Sequence, residues 1–136
     1  MPQIYVADAS AMLAYLRNEN GAQVVANVLV DSNNQIFAHS LNLCEVFYDT
    51  LRTSGNDIAL EALKRLADDG IQTRSDMDDP FWLDVGRLKV SPGHLSLADC
   101  IGIALARREK CELLTADHHE MDAVVGTGVV DLLFIR

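Results

Sequence analysis

The sequence predicts a single α/β domain, built as a three-layer α/β/α sandwich around a five-stranded parallel sheet. Two observations lead to this prediction. Short apolar runs typical of strands alternate with longer segments whose apolar residues recur at helical spacing. The chain has 136 residues, of which 49% are hydrophobic, and no repeat, low-complexity tract or long linker divides it. Residues 1–136 are therefore expected to form one domain.

The strand and helix candidates follow one another in regular alternation. The five strand candidates cover residues 3–7, 35–38, 71–74, 111–115 and 130–135. The helix candidates cover about 10–17, 21–30, 40–52, 57–70, 79–90, 96–110 and 118–125. Ser40 and Ser96 are the expected N-caps of two of these helices, and Pro80 suits the first turn of another. Right-handed crossovers would then lay the strands parallel.

Charge and cysteine content limit the classes of function. The net charge is −9, from 20 acids and 11 bases, so the chain has no general field that attracts nucleic acid. A nucleic-acid substrate would require bound cations or a local basic patch. The three cysteines form no zinc or CxxC pattern and predict reduced, buried thiols in a cytoplasmic protein. Neither a signal peptide nor a membrane span is expected.

Four acids stand where chemistry is expected in a sheet of this class. Ligands bind beyond the carboxyl ends of parallel strands, at the point where the strand order reverses. Asp8 directly follows the first strand, and Asp117 comes two residues after the fourth. Glu45 and Asp99 lie in early turns of helices that begin near the same edge. If strands one and four are neighbours, Asp8 and Asp117 come together, and all four acids could converge. Periodicity alone does not establish that convergence.

Converging carboxylates are suited to one kind of ligand. Unpaired negative charges repel one another, and a divalent cation removes that repulsion. Hard oxygen ligands favour Mg²⁺ or Mn²⁺. Such a metal binds phosphate oxygens, lowers the pKa of a water and stabilises a leaving oxygen. The pattern therefore favours hydrolysis of phosphodiesters.

Each acid also has a structural explanation. Asp8 can cap a helix, Asp117 can occupy a turn, and Asp99 can be an acid favoured by a helix dipole. Glu45 can be a solvated residue of a polar helix face. That face would also carry Asn42 and Asp49. The acidic run of Asp76, Asp78 and Asp79 is expected to form a solvated loop with a helix cap.

Four sequence segments carry a resemblance to a known family. They are VADASAMLAYL at 6–16, SLNLCEVFYDTL at 40–51, LSLADCIGIALA at 95–106 and LLTADHHEMD at 113–122. Their order and spacing run through nearly the whole chain. Together they resemble the PIN-domain family, and most of all its toxin-type ribonucleases of the VapC group.

The resemblance implies a fold and a set of site residues. It implies the strand order 3-2-1-4-5. It implies that the catalytic ligands of Mg²⁺ or Mn²⁺ are Asp8, Glu45, Asp99 and Asp117. Ser10 and Thr115 would be the hydroxyls that orient the carboxylates or the scissile phosphate, and Glu120 a fifth acid. The doubled histidine, His118 and His119, departs from the family pattern.

The resemblance also implies partners. These are an RNA substrate, a cognate antitoxin protein that lies in a groove near the site, and a second copy of the chain in a homodimer. Arg17 and Arg52 are the candidates for contacts with the RNA backbone. A non-catalytic PIN-like module that binds RNA or protein is the alternative function. A receiver domain fits poorly, because Asp8 is single, and residues 8–12 read DASAM, which excludes a DxDxT phosphatase.

Overall fold

The structure, a computed structural model, describes residues 3–136 as one parallel sheet flanked by helices. The strands are β1 (Ile4–Ala7), β2 (Gln35–His39), β3 (Ile71–Arg74), β4 (Glu112–Thr115) and β5 (Asp131–Phe134). Their order is β3-β2-β1-β4-β5, and every neighbouring pair is parallel. The predicted fold class and strand order are both confirmed.

Helices cover the two faces of the sheet. They are α1 (Ala9–Leu16), α2 (Ala22–Val30), α3 (Ser40–Ser54), α4 (Asn56–Asp68), α5 (Asp79–Val90), α6 (Leu97–Glu109) and α7 (His118–Met121), with a 3-10 turn at Asp122–Val124. One buried cluster joins the sheet to α5 and α6, and a second joins it to α1, α2, α3 and α4. Within residues 3–136, no helix is long and apolar enough to cross a membrane.

The central strand shows why the strands lack a polar alternation. Val6 and Ala7 of β1 are both fully buried, and they belong to the two different clusters. A parallel strand covered on both faces is apolar at every position. In α6, residues 100–106 are all buried, so this helix lies inside the layer rather than on its surface.

The start of α3 differs from the prediction. The N-cap is His39 and not Ser40, because β2 runs directly into the helix without a loop. The ring Nδ1 of His39 accepts the N–H of Leu41 at 3.1 Å, so its Nε2 carries the proton and donates to the carbonyl of Asp76 at 2.8 Å. The buried ring also stacks on Phe81. The helix cap, the hydrogen bond to Asp76 and the stacking on Phe81 together hold β2, α3 and α5 in one arrangement.

The cysteines are only partly as predicted. All three are free thiols. Cys100 is buried and Cys111 is half-buried, but Cys44 is exposed, which corrects the expectation that it packs in the interior. Burial raises the pKa of Cys100, and it raises that of Cys111 to about 11. These two thiols therefore stay protonated at neutral pH.

The acidic run after β3 is solvated only in part: Asp78 is the predicted cap of α5 and is exposed, as is Asp79, but Asp76 and Asp78 belong to an ion-pair cluster. Arg74 binds the carboxylates of Asp76, at 2.8 Å, and of Glu109. Arg108 binds Asp76 at 3.0 Å and Asp78 at 2.6 Å. Only 13% of the Asp76 side chain is exposed, and the guanidinium of Arg74 lowers its pKa to about 2. The partners from α6 are 30 to 35 residues away along the chain, so no local pattern predicts the cluster.

Removing Arg74 is expected to destabilise the fold. Arg74→Met should lower the free energy of unfolding by about 2 kcal/mol, because it leaves Glu109 without a cation and Asp76 with Arg108 alone in a half-buried site. The measurement is urea unfolding at pH 7. Lys64→Met is the matched control, since Lys64 pairs with Asp68 in an exposed helix pair and should matter far less. Equal effects of the two variants would contradict this account of the cluster.

Candidate active site

The strand order brings two of the four predicted acids to one edge of the sheet. β1 and β4 are neighbours, with Ala7 paired to Leu114. The backbone N–H of Asp8 continues the ladder by donating to the carbonyl of Leu114 at 3.1 Å. Asp117 follows two residues after β4 ends. Asp8 and Asp117 therefore both leave the carboxyl edge of adjacent strands, as the prediction requires.

Asp8 is a helix cap, and it is also a carboxyl group with a raised pKa. It is the N-cap of α1, and its Oδ1 accepts from the N–H of Ala11 at 2.9 Å and from Ser10 Oγ at 2.6 Å. The side chain is almost completely buried. Burial raises its pKa to about 6 despite these hydrogen bonds, and the negative charge of Asp99 adds to the rise. Capping uses only one carboxylate oxygen, so Oδ2 remains for a ligand.

Glu45 and Asp99 are electrostatically coupled to the same site. Burial is the main cause that raises the pKa of Glu45, and the charges of Asp99, Asp8, Asp49 and Asp117 raise it further. Burial also raises the pKa of Asp99, against a hydrogen bond from Ser96, and the charges of Asp117 and Glu120 contribute. Negatively charged neighbours raise the pKa of a carboxylate in this way only when they lie at short range. The four acids thus occupy one negatively charged region.

The region is not a closed metal cage. Among residues 3–136, no three His, Cys, Asp or Glu side chains lie close enough together to hold a metal ion as they stand. The donor chemistry nevertheless fits a hard divalent cation, because all four groups are carboxylates that repel one another. Asp117 Oδ1 accepts from the N–H of Glu120 at 3.1 Å, so Asp117 too keeps a second oxygen.

Two hydroxyls link the acids that follow β1 and β4. Ser10 Oγ donates to Asp8, lies 3.3 Å from Thr115 Oγ1, and accepts from the N–H of Ala116 at 2.9 Å. Thr115 is fully buried, and its Oγ1 accepts from the N–H of Asp117 at 3.1 Å. A continuous chain of hydrogen bonds therefore runs from the carboxylate of Asp8 to the backbone N–H of Asp117. The orienting role of Ser10 and Thr115 stays a prediction.

The two arginines predicted to contact RNA share one carboxylate. Arg17 binds Asp49 Oδ2 at 2.6 Å, and Arg52 binds Asp49 Oδ1 at 2.8 Å. The pairing lowers the pKa of Asp49. Both guanidinium groups remain partly exposed, but Asp49 offsets part of their charge. Their role in RNA binding stays a prediction.

The doubled histidine has two different environments. His118 lies 2.8 Å from Asp122 Oδ1 and 2.7 Å from the carbonyl of Arg136, and its ring stacks on Phe134. These contacts raise its pKa and tie α7 to the C-terminal end of the chain. The side chain of His119 is 93% exposed. The spacing of four residues to Asp122 was the only sequence signal for the His118 contact.

Comparison with known families identifies the class of this domain. The PIN domain model matches residues 5–125, and the chain belongs to that family. A comparison with curated proteins finds no match.

Solved structures share the fold at low sequence identity. VapBC2 from Rickettsia felis, solved bound to a DNA fragment from the promoter, is 13% identical with a TM-score of 0.76, over 97% of this chain and 98% of that one. A toxin-antitoxin complex from Klebsiella pneumoniae is 14% identical with a TM-score of 0.70, over 97% and 98%. VapC20 from Mycobacterium tuberculosis, described as a sarcin-ricin loop cleaving toxin, is 13% identical with a TM-score of 0.67, over 89% and 95%.

Proposed function

We propose that this protein is a metal-dependent endoribonuclease that acts as the toxin of a toxin-antitoxin pair. The observation that carries the proposal is that Asp8 and Asp117 follow the adjacent ends of β1 and β4, while the negative charges of Glu45 in α3 and Asp99 in α6 couple to the same region. Membership of the PIN family and the shared fold with VapC proteins support it. The cation would be Mg²⁺ or Mn²⁺, which oxygen ligands favour.

Each group of the site has a distinct task in this proposal. The four carboxylates would hold the cation through oxygens that capping leaves available. When bound, the cation supplies Lewis-acid stabilisation of the phosphate and an activated water. Ser10 would hold the carboxylate of Asp8 in a fixed orientation, and Thr115 would hold the backbone of Asp117, through the hydrogen-bond chain between them. Burial of Asp8 excludes bulk water from one side of the site.

A direct cleavage assay tests the proposal. The purified protein is incubated with tRNA, rRNA and mRNA, with EDTA, Mg²⁺ or Mn²⁺. Internal cleavage of at least one RNA is expected with a divalent cation and none with EDTA. Absence of cleavage under every condition would favour the alternative, a non-catalytic PIN-like module. The sharing of Asp49 by Arg17 and Arg52 favours that alternative, because it weakens the basic surface near the site.

A basic antitoxin segment is the proposed inhibitor. Neighbouring structures are described as toxin-antitoxin complexes, which supports such a partner. The net charge of −9 and the clustered acids attract a cationic peptide more readily than they attract RNA. An arginine of that segment would reach the carboxylates in place of the metal.

Metal and antitoxin are therefore expected to compete. Mg²⁺ is titrated into the purified complex while cleavage and dissociation are followed together. Both should rise with Mg²⁺, and binding of the antitoxin should weaken as salt is added. A complex that Mg²⁺ and salt leave unchanged would contradict an arginine seated among the acids.

A homodimer is proposed with α3 as its main surface. Met12 of α1 and Val25 of α2 are fully buried within one chain. The apolar faces of these two helices are therefore already covered and offer little surface to a second copy. By contrast, Leu41, Tyr48 and Leu51 of α3 are exposed. Light scattering should show a dimer, and Tyr48→Glu should shift it towards monomer. A wild-type protein that stays monomeric at high concentration would rule the dimer out.

A further inference from the structure

One buried polar side chain joins the two helices that carry Glu45 and Asp99. Asn42 lies in the first turn of α3, three residues before Glu45, and is 1% exposed. Its Nδ2 donates to the carbonyl of Ala98 at 3.1 Å, and Ala98 directly precedes Asp99 in α6. This hydrogen bond therefore connects the turn of α3 that precedes Glu45 to the backbone of α6 next to Asp99.

The other end of the same amide has no partner. Within the described residues, Asn42 Oδ1 is the buried side-chain oxygen that accepts no hydrogen bond. It faces Gly102, where an added Cβ would stand 3.3 Å from it. Gly102 lies in the middle of α6, where glycine weakens a helix relative to alanine. Asn42 and Gly102 therefore each lower the stability of the fold, and both allow α3 and α6 to approach closely at this point.

We propose that Asn42 is a positioning residue that sets the separation of Glu45 and Asp99 through its contact with Ala98 and Gly102. The inference rests on the proposed function, because it concerns the same metal-binding acids. A residue kept for stability alone would not bury an unpaired oxygen. Helical geometry already assigns the N–H of Gly102 to the carbonyl of Ala98, so that carbonyl does not depend on Asn42 for a partner.

Asn42→Leu separates positioning from stability. Leucine has nearly the same branched shape, but it forms no hydrogen bond and buries no polar oxygen. The thermal midpoint of the metal-free variant should equal or exceed that of the wild type. Its affinity for Mn²⁺, measured from the EPR signal of free Mn²⁺, should fall about 10-fold or more, as losses around metal ligands generally do. A purely structural asparagine predicts the reverse: a lower midpoint and unchanged affinity.

Gly102→Ala gives a second, independent variant. Its Cβ would press on Asn42 Oδ1 and force a shift of a few tenths of an ångström, although alanine favours the helix. Weaker Mn²⁺ binding with an unchanged or higher thermal midpoint is again expected. Thr50→Val is the matched control, because Thr50 is a buried polar residue of the same helix, about two turns beyond Asn42. It should leave Mn²⁺ affinity unchanged.

The outcomes distinguish this inference from the proposed function. If the wild type binds Mn²⁺ and cleaves RNA while Asn42→Leu and Gly102→Ala bind Mn²⁺ as tightly, the positioning role is overturned and the nuclease proposal stands. If the wild type neither binds Mn²⁺ nor cleaves RNA, both fall together. Weaker binding in both variants, with Thr50→Val unaffected, supports the positioning role.

Discussion

Asp8→Asn is expected to fold as the wild type does and to lose at least about 100-fold in kcat/KM for RNA cleavage. An amide oxygen can still accept from Ser10 and Ala11, so the cap of α1 is retained. A neutral amide is a poor ligand for a hard cation, and even groups around metal ligands cost about 10- to 100-fold when changed. The measurement is cleavage kinetics at saturating Mg²⁺, with circular dichroism to confirm the fold.

The control for this loss is the same chemical change at a distant carboxylate. Asp68 lies on α4 and pairs with Lys64 at the surface. Asp68→Asn should cleave RNA as fast as the wild type. Asp99→Asn should resemble Asp8→Asn, since both acids belong to the charged region. If Asp8→Asn and Asp99→Asn both cleave RNA as fast as the wild type, the assignment of these acids as metal ligands is wrong.

The metal-free protein is expected to lose stability as the pH rises from about 4 to about 6. The pKa of Asp8 is raised from 3.8 to about 6 in the folded state. The folded protein therefore binds more protons than the unfolded chain in this window, and a rise in pH favours unfolding. From about 1.4 kcal/mol for each pKa unit, the penalty from Asp8 approaches about 3 kcal/mol above pH 6. The raised pKa values of Glu45 and Asp99 act in the same direction.

Two comparisons isolate the site from the rest of the molecule. Urea unfolding in EDTA at pH 4, 5, 6 and 7 should show the decline in the wild type and a smaller one in Asp8→Asn. Mg²⁺ should restore stability at pH 7 in the wild type, because a ligand of the folded state alone stabilises it. Asp76 has a pKa of about 2, so it stays ionised and its ion pair persists throughout this range. Stability that rises with pH in both proteins would contradict the buried, repelling acids.

Much of the fold could be predicted from local patterns. Most strands were located because a parallel strand buried on both faces is apolar, and the helices because their apolar residues recur every three to four positions. The edge strand β3 is the exception, since Ile71 is its one apolar residue. The position of Asp8 after β1 and of Asp117 after β4 follows from the same patterns. Strand order was not contained in them; it came from the family resemblance, and the pairing of β1 with β4 confirms it.

The sequence interpretation of Asn42 was wrong about its burial. Asn42 shares one face of an amphipathic helix with Glu45 and Asp49, and that pattern predicts a solvent-facing position. In the structure it is buried, because α6, whose residues 100–106 are all buried, packs against the first turn of α3. Gly102 had no distinguishing local signal either. Its importance depends on a helix that is 60 residues away along the chain.

The order of the elements and the acids at strand ends could be predicted from local sequence, since both depend on residues adjacent along the chain. Contacts between side chains of different elements became visible only in the folded protein. Examples are Arg74 with Glu109, Asn42 with Ala98, and Ser10 with Thr115. The physical reason is that secondary structure depends on local backbone preference and periodic burial, whereas charge pairing and hydrogen bonding depend on distances that exist only after the chain has folded.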